Sequence, residues 1–169
     1  NGMDYLFSPH FVSTYRSPKK IMDKENKYRQ LLPIIESLVD GGPDPIAVMA
    51  NVCAVLHQEM GFWWTGFYRV IENELVLGPF QGPVACMRIK KGKGVCGTAW
   101  ERGKTIVVPD VEQFAGHIAC SSESRSEIVV PVWKDKEVIA VLDIDSRELN
   151  TFDAIDKKYL EQIVNITIG

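Results

Sequence analysis

The chain has 169 residues, 46% apolar and 24% charged, with a net charge of -3 when histidine is neutral. A chain of this size can bury a core without disulfide staples, and it reads as one domain. The charge balance leaves no basic footprint for nucleic acid, and no apolar stretch approaches the roughly 20 residues needed to span a membrane.

Residues 1–22 have no clear period and contain Pro9 and Pro18, which reads as a poorly ordered leader. No charged segment there runs into an apolar one, so no signal peptide is read and the expected compartment is the cytoplasm. From Asp23 the pattern turns helical, with a stripe of Tyr28, Leu31, Leu32, Ile35, Leu38 and Val39. Pro33 is expected to break or kink this helix. "DGGPDP" at 40–45 stops it, and a second helix runs from about Pro45 to Met60. Ile46, Met49, Ala50, Cys53, Ala54 and His57 are expected along its face or flanks, which makes Cys53 a core thiol.

The period then changes. "WWTGFYRVIENELVLGPF" (63–80) reads as two strands joined by a tight turn at Glu72-Asn73, and "GPVACMRI" (82–89) as a further strand. "KKGKGVCGTAWERGK" (90–104) reads as a glycine-punctuated loop with a short helix near Thr98 to Arg102. "TIVVPDV" (105–111) is a short strand ended by proline. "EIVVPVWKDKEVIAVLDIDS" (127–146) is a hairpin turning at Lys134-Asp135-Lys136. "FDAIDKKYLEQIVNITI" closes with a helix whose stripe is Ile155, Tyr159, Leu160, Ile163 and Val164. Strands bracketed by helices predict an α+β fold, an antiparallel sheet with helices packed on one face. The connection from Gly78 to Ser126 is long, as lids and binding walls are.

Three of the four cysteines, Cys86, Cys96 and Cys120, lie in that connection. In a reducing compartment structural disulfides do not persist, so these are packing residues, metal ligands or redox groups. The metal reading needs Cys86, Cys96, His117 and Cys120, but their spacing fits no common zinc site. Thiol–disulfide exchange needs one attacking thiolate and one resolving thiol. Cys120, in "GHIACSSESRSEIVV", sits in a reachable polar loop, with His117 three residues before it. The competing reading is three incidental thiols in a half-buried wall.

Asp143 and Asp145 are two apart on a strand and point to one face. Two such carboxylates repel unless a cation lies between them, and a substrate ammonium is the natural occupant. One acid kept protonated can instead donate a proton. The competing reading is a solvated strand end. Of Trp63, Trp64, Phe67 and Tyr68, most are expected in the core, but adjacent tryptophans cannot both face inward on a regular strand, so one is free to line a pocket.

Together "WWTGFY", "LVLGPFQGPVAC", "GKGVCGTAW", "VPDVEQFAGHIAC", "SEIVVPV" and "VIAVLDIDS" resemble the free methionine-(R)-sulfoxide reductases, which are single GAF domains. The resemblance implies one GAF domain over 23–169, with the long connection covering a pocket. It implies reduction of free methionine-(R)-sulfoxide to methionine through a sulfenic acid and an intramolecular disulfide, with thioredoxin as reductant and no cofactor or metal. On this resemblance Cys120 is catalytic, Cys86 the main resolving cysteine and Cys96 a third redox cysteine. Glu127, Asp143 and Asp145 match the pocket acids, and Trp64 and Tyr68 the aromatic wall. Loop amides from Gly116 to Ala119 are expected to hold the substrate carboxylate. The cyclic-nucleotide GAF signature is only partial, because Phe152 is followed by Asp156 but then by Lys157. A non-enzymatic GAF sensor of a small amino-acid-like ligand and a redox switch without a substrate are the rival readings, and a homodimer is left open.

Overall fold

The structure, a computed structural model, describes residues 23–168; the leader expected over 1–22 lies outside the described residues. Helix α1 (Lys24–Val39) starts where the Asp23 carboxylate accepts the Asn26 amide at 2.8 Å. Helix α2 (Pro45–Met60) starts at Asp44, whose carboxylate accepts the Ile46 and Ala47 amides, and stops at left-handed Gly61. The break expected at Pro33 does not occur, and α1 runs through it. Pro33 and Ile34 are exposed, so the Arg29 carbonyl that loses its amide partner lies on the solvent side. Tyr28, Leu31 and Ile35 bury the other side and hold both halves of the helix. On α2 the buried row is Val48, Met49, Val52, Cys53 and Leu56. Ile46 and Ala50, expected on that face, lie one row over and are exposed.

Strands β1 (Trp64–Ile71) and β2 (Glu74–Gln81) form the expected hairpin, and both turn residues, Glu72 and Asn73, have positive φ. Strand β3 is only Arg88–Lys90. The strand expected from residue 82 is a loop as far as Met87, because Gly82 turns at φ 129° and Pro83 has no amide for a ladder. Helix α3 (Gly94–Arg102) begins four residues before the expected Thr98, so Cys96 is helical. A Cβ on Gly97 would strike the Lys90 carbonyl, so the glycine that looks like loop punctuation lets α3 pack on the chain leaving β3. Strands β4 (Ile106–Val108), β5 (Ser126–Lys134) and β6 (Glu137–Ser146) follow, then helix α4 (Ala154–Ile168).

The six strands form one sheet in the order β3-β2-β1-β6-β5-β4, with every neighbouring pair antiparallel. Phe67 of β1, Ile128, Val130 and Val132 of β5, and Ala140, Leu142 and Ile144 of β6 pack with α1, α2 and α4 as the main core. The fold is the expected GAF-like α+β arrangement with one refinement. Three helices share a face, while α3 belongs to the covering connection and packs on the other face with Trp64, Tyr68, Val129 and Val141.

Helices α1 and α4 are clasped. Lys24 Nζ lies 2.6 Å from Asp156 Oδ2, and Tyr28 Oη donates to Asp156 Oδ1 at 2.7 Å. Asp156, the residue in the partial signature, is fully buried and joins α4 to α1. Among the described residues no helix is long and apolar enough to cross a membrane.

Candidate active site

The site forms on the α3 face because alternate residues of β6 point there. Asp145 pairs with Glu127 of β5 on one side and with Trp64 of β1 on the other. Asp143, two residues back, pairs with Val129 and Gly66. A Cβ at Gly66 would collide with the Trp64 indole, so this glycine lets the ring lie over the strand. The result is a pocket with about 580 Å³ of unfilled space, part of it open to solvent, floored by Cys96, Glu127, Asp143 and Asp145.

These groups are placed for proton chemistry. Burial, and then the neighbouring carboxylates, push Glu127 and Asp143 well above the usual carboxylate range. Burial raises Asp145 to about 6, although the Ser124 hydroxyl, donating to Oδ1 at 2.5 Å, works against it. Asp143 Oδ1 is buried without a hydrogen-bond partner. Cys96 Sγ lies 4.0 Å from Glu127 Oε1, and burial next to these acids raises its thiol. His117 Nε2 stands 4.0 Å from Glu127 Oε2, and burial lowers its pKa, so it is held neutral.

Cys120 and Cys86 form a disulfide that joins the loop after the 3₁₀ turn at Val111–Gln113 to the loop between β2 and β3. Two pocket aromatics hold the second loop. Trp64 Nε1 donates to the Pro83 carbonyl at 2.9 Å, and Tyr68 Oη donates to the Cys86 carbonyl at 2.9 Å. The two rings stack, with centroids 6.1 Å apart. Cys53 is remote from the pocket and buried, and its thiol is pushed up to about 12.

All eight residues selected from the sequence therefore converge: seven line the pocket, and Cys86 is bonded to the seventh, Cys120. Two details differ from expectation. Of the amides expected to form an anion nest over Gly116 to Ala119, that of His117 already bonds the Phe114 carbonyl. Among the described residues, the group that could present three metal ligands is Cys96, Glu127 and Asp143, whose ligand atoms lie within 4.8 Å of one another. They are not the cysteine–histidine set weighed from spacing. Both adjacent tryptophans, Trp63 and Trp64, line the pocket; Ser124 and Lys93 also line it and carry no local signal in the sequence, one being a serine among serines and the other a rim lysine.

A family model described as "GAF domain" matches residues 43–167. The chain is 60% identical over 144 residues to "GAF domain-containing protein A" of Dictyostelium discoideum, covering 85% of this chain and 91% of that protein. It is 42% identical over 144 residues to "Free methionine-R-sulfoxide reductase" of Escherichia coli (strain K12), covering 85% of this chain and 87% of that protein. Its fold is similar to the X-ray structure of free methionine-R-sulfoxide reductase from Neisseria meningitidis in complex with its substrate. The TM-score is 0.85 and the identity 52%, over 86% of this chain and 89% of that one.

Proposed function

The chain belongs to the GAF domain family, and within it we propose that it is an oxidoreductase that reduces free L-methionine-(R)-S-oxide to L-methionine, with Cys120 as nucleophile. The observation that carries this is the Cys86–Cys120 disulfide at the mouth of a pocket whose floor holds three acids with raised pKa values. The kinship with the E. coli and N. meningitidis reductases supports the same reaction.

The Cys120 thiolate attacks the sulfoxide sulfur. A neutral carboxyl, Glu127 or Asp143, gives its proton to the sulfoxide oxygen, which makes that oxygen transferable. The oxygen passes to Cys120 as sulfenic acid, and methionine leaves reduced by two electrons. The Cys86 thiol then attacks the sulfenic sulfur, expels water and forms the disulfide. An external dithiol of the thioredoxin class returns two electrons and two protons.

The remaining carboxylate charge, with Asp145 the most acidic of the three, holds the substrate ammonium. Lys93 and the first turn of α3 also line the pocket and offer the substrate carboxylate a cation and the positive end of a helix. A peptide-bonded methionine lacks both charged termini, which favours the free amino acid. Trp64 and Tyr68 pack the S-methyl group.

The test is methionine formation from the R and S sulfoxides separately, with dithiothreitol as reductant. Turnover of the R form alone supports the assignment. No turnover of either form by folded, reduced protein would favour a ligand-binding GAF domain.

A further inference from the structure

Among the described residues the two most exposed large apolar side chains are Val84, 88% exposed, and Met87, 76% exposed. They flank Cys86 at two residues before and one after. Ile118, 40% exposed, stands two residues before Cys120. Thus each half of the disulfide carries solvent-facing apolar groups beside it. Val84 and Ile118 also line the pocket, whereas Met87 does not; scattered surface apolar residues need no explanation, but exposed ones next to both cysteines of a reactive bond do.

The backbone there is held while the side chains are free. The Leu77 amide donates to the Met87 carbonyl at 3.0 Å, and Tyr68 and Trp64 hold Cys86 and Pro83 by their carbonyls. Cys86 and Cys120 are both half-buried, so the disulfide is partly open to solvent.

We propose that Val84, Met87 and Ile118 form the docking surface for the protein dithiol that reduces the Cys86–Cys120 disulfide. The occupant follows from the disulfide whose two halves these residues neighbour in the chain. A macromolecule that must bring a thiolate into line with a disulfide sulfur has to exclude water around it, and exposed apolar side chains beside the bond do that. A small thiol needs no such surface. The partner's first thiolate attacks Cys86 Sγ, the Cys86–Cys120 bond breaks, and Cys120 leaves as thiolate, ready for the next sulfoxide. The partner's second thiol attacks the mixed disulfide and frees Cys86. The partner dithiol is oxidised by two electrons; the proton of its second thiol goes to Cys86, and that of its first is given to solvent as it ionises, which balances the Cys120 thiolate.

The inference rests on the proposed function only in taking this disulfide as a redox intermediate, so the assay omits the sulfoxide. Oxidised protein is mixed with reduced thioredoxin, and free thiols are followed in time; a parallel series uses dithiothreitol. Met87→Glu and Met87→Ala are compared with Ile34→Glu, which alters another exposed apolar side chain, on α1 (45% exposed). Met87 does not line the pocket. The expected result is a second-order rate with thioredoxin lowered about tenfold by Met87→Glu and about threefold by Met87→Ala. Ile34→Glu leaves that rate unchanged, and the dithiothreitol rate is the same in all four proteins. Equal thioredoxin rates in wild type and Met87→Glu would overturn the docking surface. So would loss of a Met87-dependent dimer, seen by light scattering, with unchanged thioredoxin kinetics, because the patch would then belong to a second copy. Normal thioredoxin reduction with no methionine formed from the sulfoxide would instead count against the enzymatic reading and leave the docking surface standing.

Discussion

The hydroxyl of Tyr68 donates to the carbonyl of Cys86 at 2.9 Å, so one residue of the aromatic wall also fixes the backbone of the partner sulfur. In the proposed reaction, substrate packing and resolution of the oxidised cysteine are thereby joined through a single ring. Tyr68→Phe keeps the wall and removes the anchor. The loss of one hydrogen bond of about 1 kcal/mol is expected to slow disulfide closure about fivefold while the methionine burst stays near wild type. Trapping of Cys120 sulfenic acid with dimedone should rise in the variant. A slowed burst with unchanged trapping would show that Tyr68 acts on substrate alone.

Cys120→Ser is expected to lower methionine formation below about 1% of wild type, because the hydroxyl is a far weaker nucleophile toward sulfur. Its far-ultraviolet circular dichroism should match that of the reduced wild type. Cys86→Ser is expected to release about one methionine per chain and then stall with thioredoxin, which single-turnover chromatography will resolve. Continued thioredoxin-driven turnover would hand the resolving role to Cys96.

The buried acids set a pH dependence whose sign is fixed. Asp145 titrates at about 6 in the fold, against an ordinary 3.8. Between those values the folded protein holds a proton that the unfolded chain has released. Stability from this group therefore falls as pH rises through that window and is flat above it. Glu127 and Asp143, raised further, extend the same slope upward. Asp143→Asn removes one member of the set, so the melting temperature of the variant should gain on wild type between about pH 5 and pH 8. Its sulfoxide reduction should be strongly impaired throughout. A variant that loses ground with rising pH would contradict the raised carboxyl.

Asp156→Asn breaks the charge partnership with Lys24 at the α1–α4 clasp. It is expected to cost about 2 kcal/mol, a fall of about 5 °C in melting temperature for a chain of this size. Thioredoxin-driven kinetics below the transition should be unaltered, and a selective loss of kcat would place the clasp in communication with the pocket.

Much of this was legible in the sequence for a local reason. Asp23, Asp44 and Gly61 are cap residues that announce helix ends, and Glu72-Asn73 and the Lys134–Lys136 turn interrupt strongly alternating strands. The alternation "VLDIDS" gave the acids a common face before any partner strand was known. Glycine was the recurrent source of error. Gly92, Gly94 and Gly97 look like loop, yet Gly97 is a helical contact against Lys90, so α3 was read four residues short. Pro33 misled in the opposite direction, because packing on its buried side outweighs one lost hydrogen bond. Ser124 was invisible because its meaning lies 21 residues away, at Asp145.

Strand β6 interleaves two inventories. Ala140, Leu142 and Ile144 belong to the main core, while Val141, Asp143 and Asp145 face the other way. Parity along ten residues separates them. A single inserted or deleted residue between Val138 and Ala140 would present both carboxylates to the aliphatic side and the three core aliphatics to the pocket. Length change in this strand is thus lethal to folding and chemistry at once. Natural or engineered variation in pocket character must come by substitution there, and by insertion only in the loops that bear the cysteines.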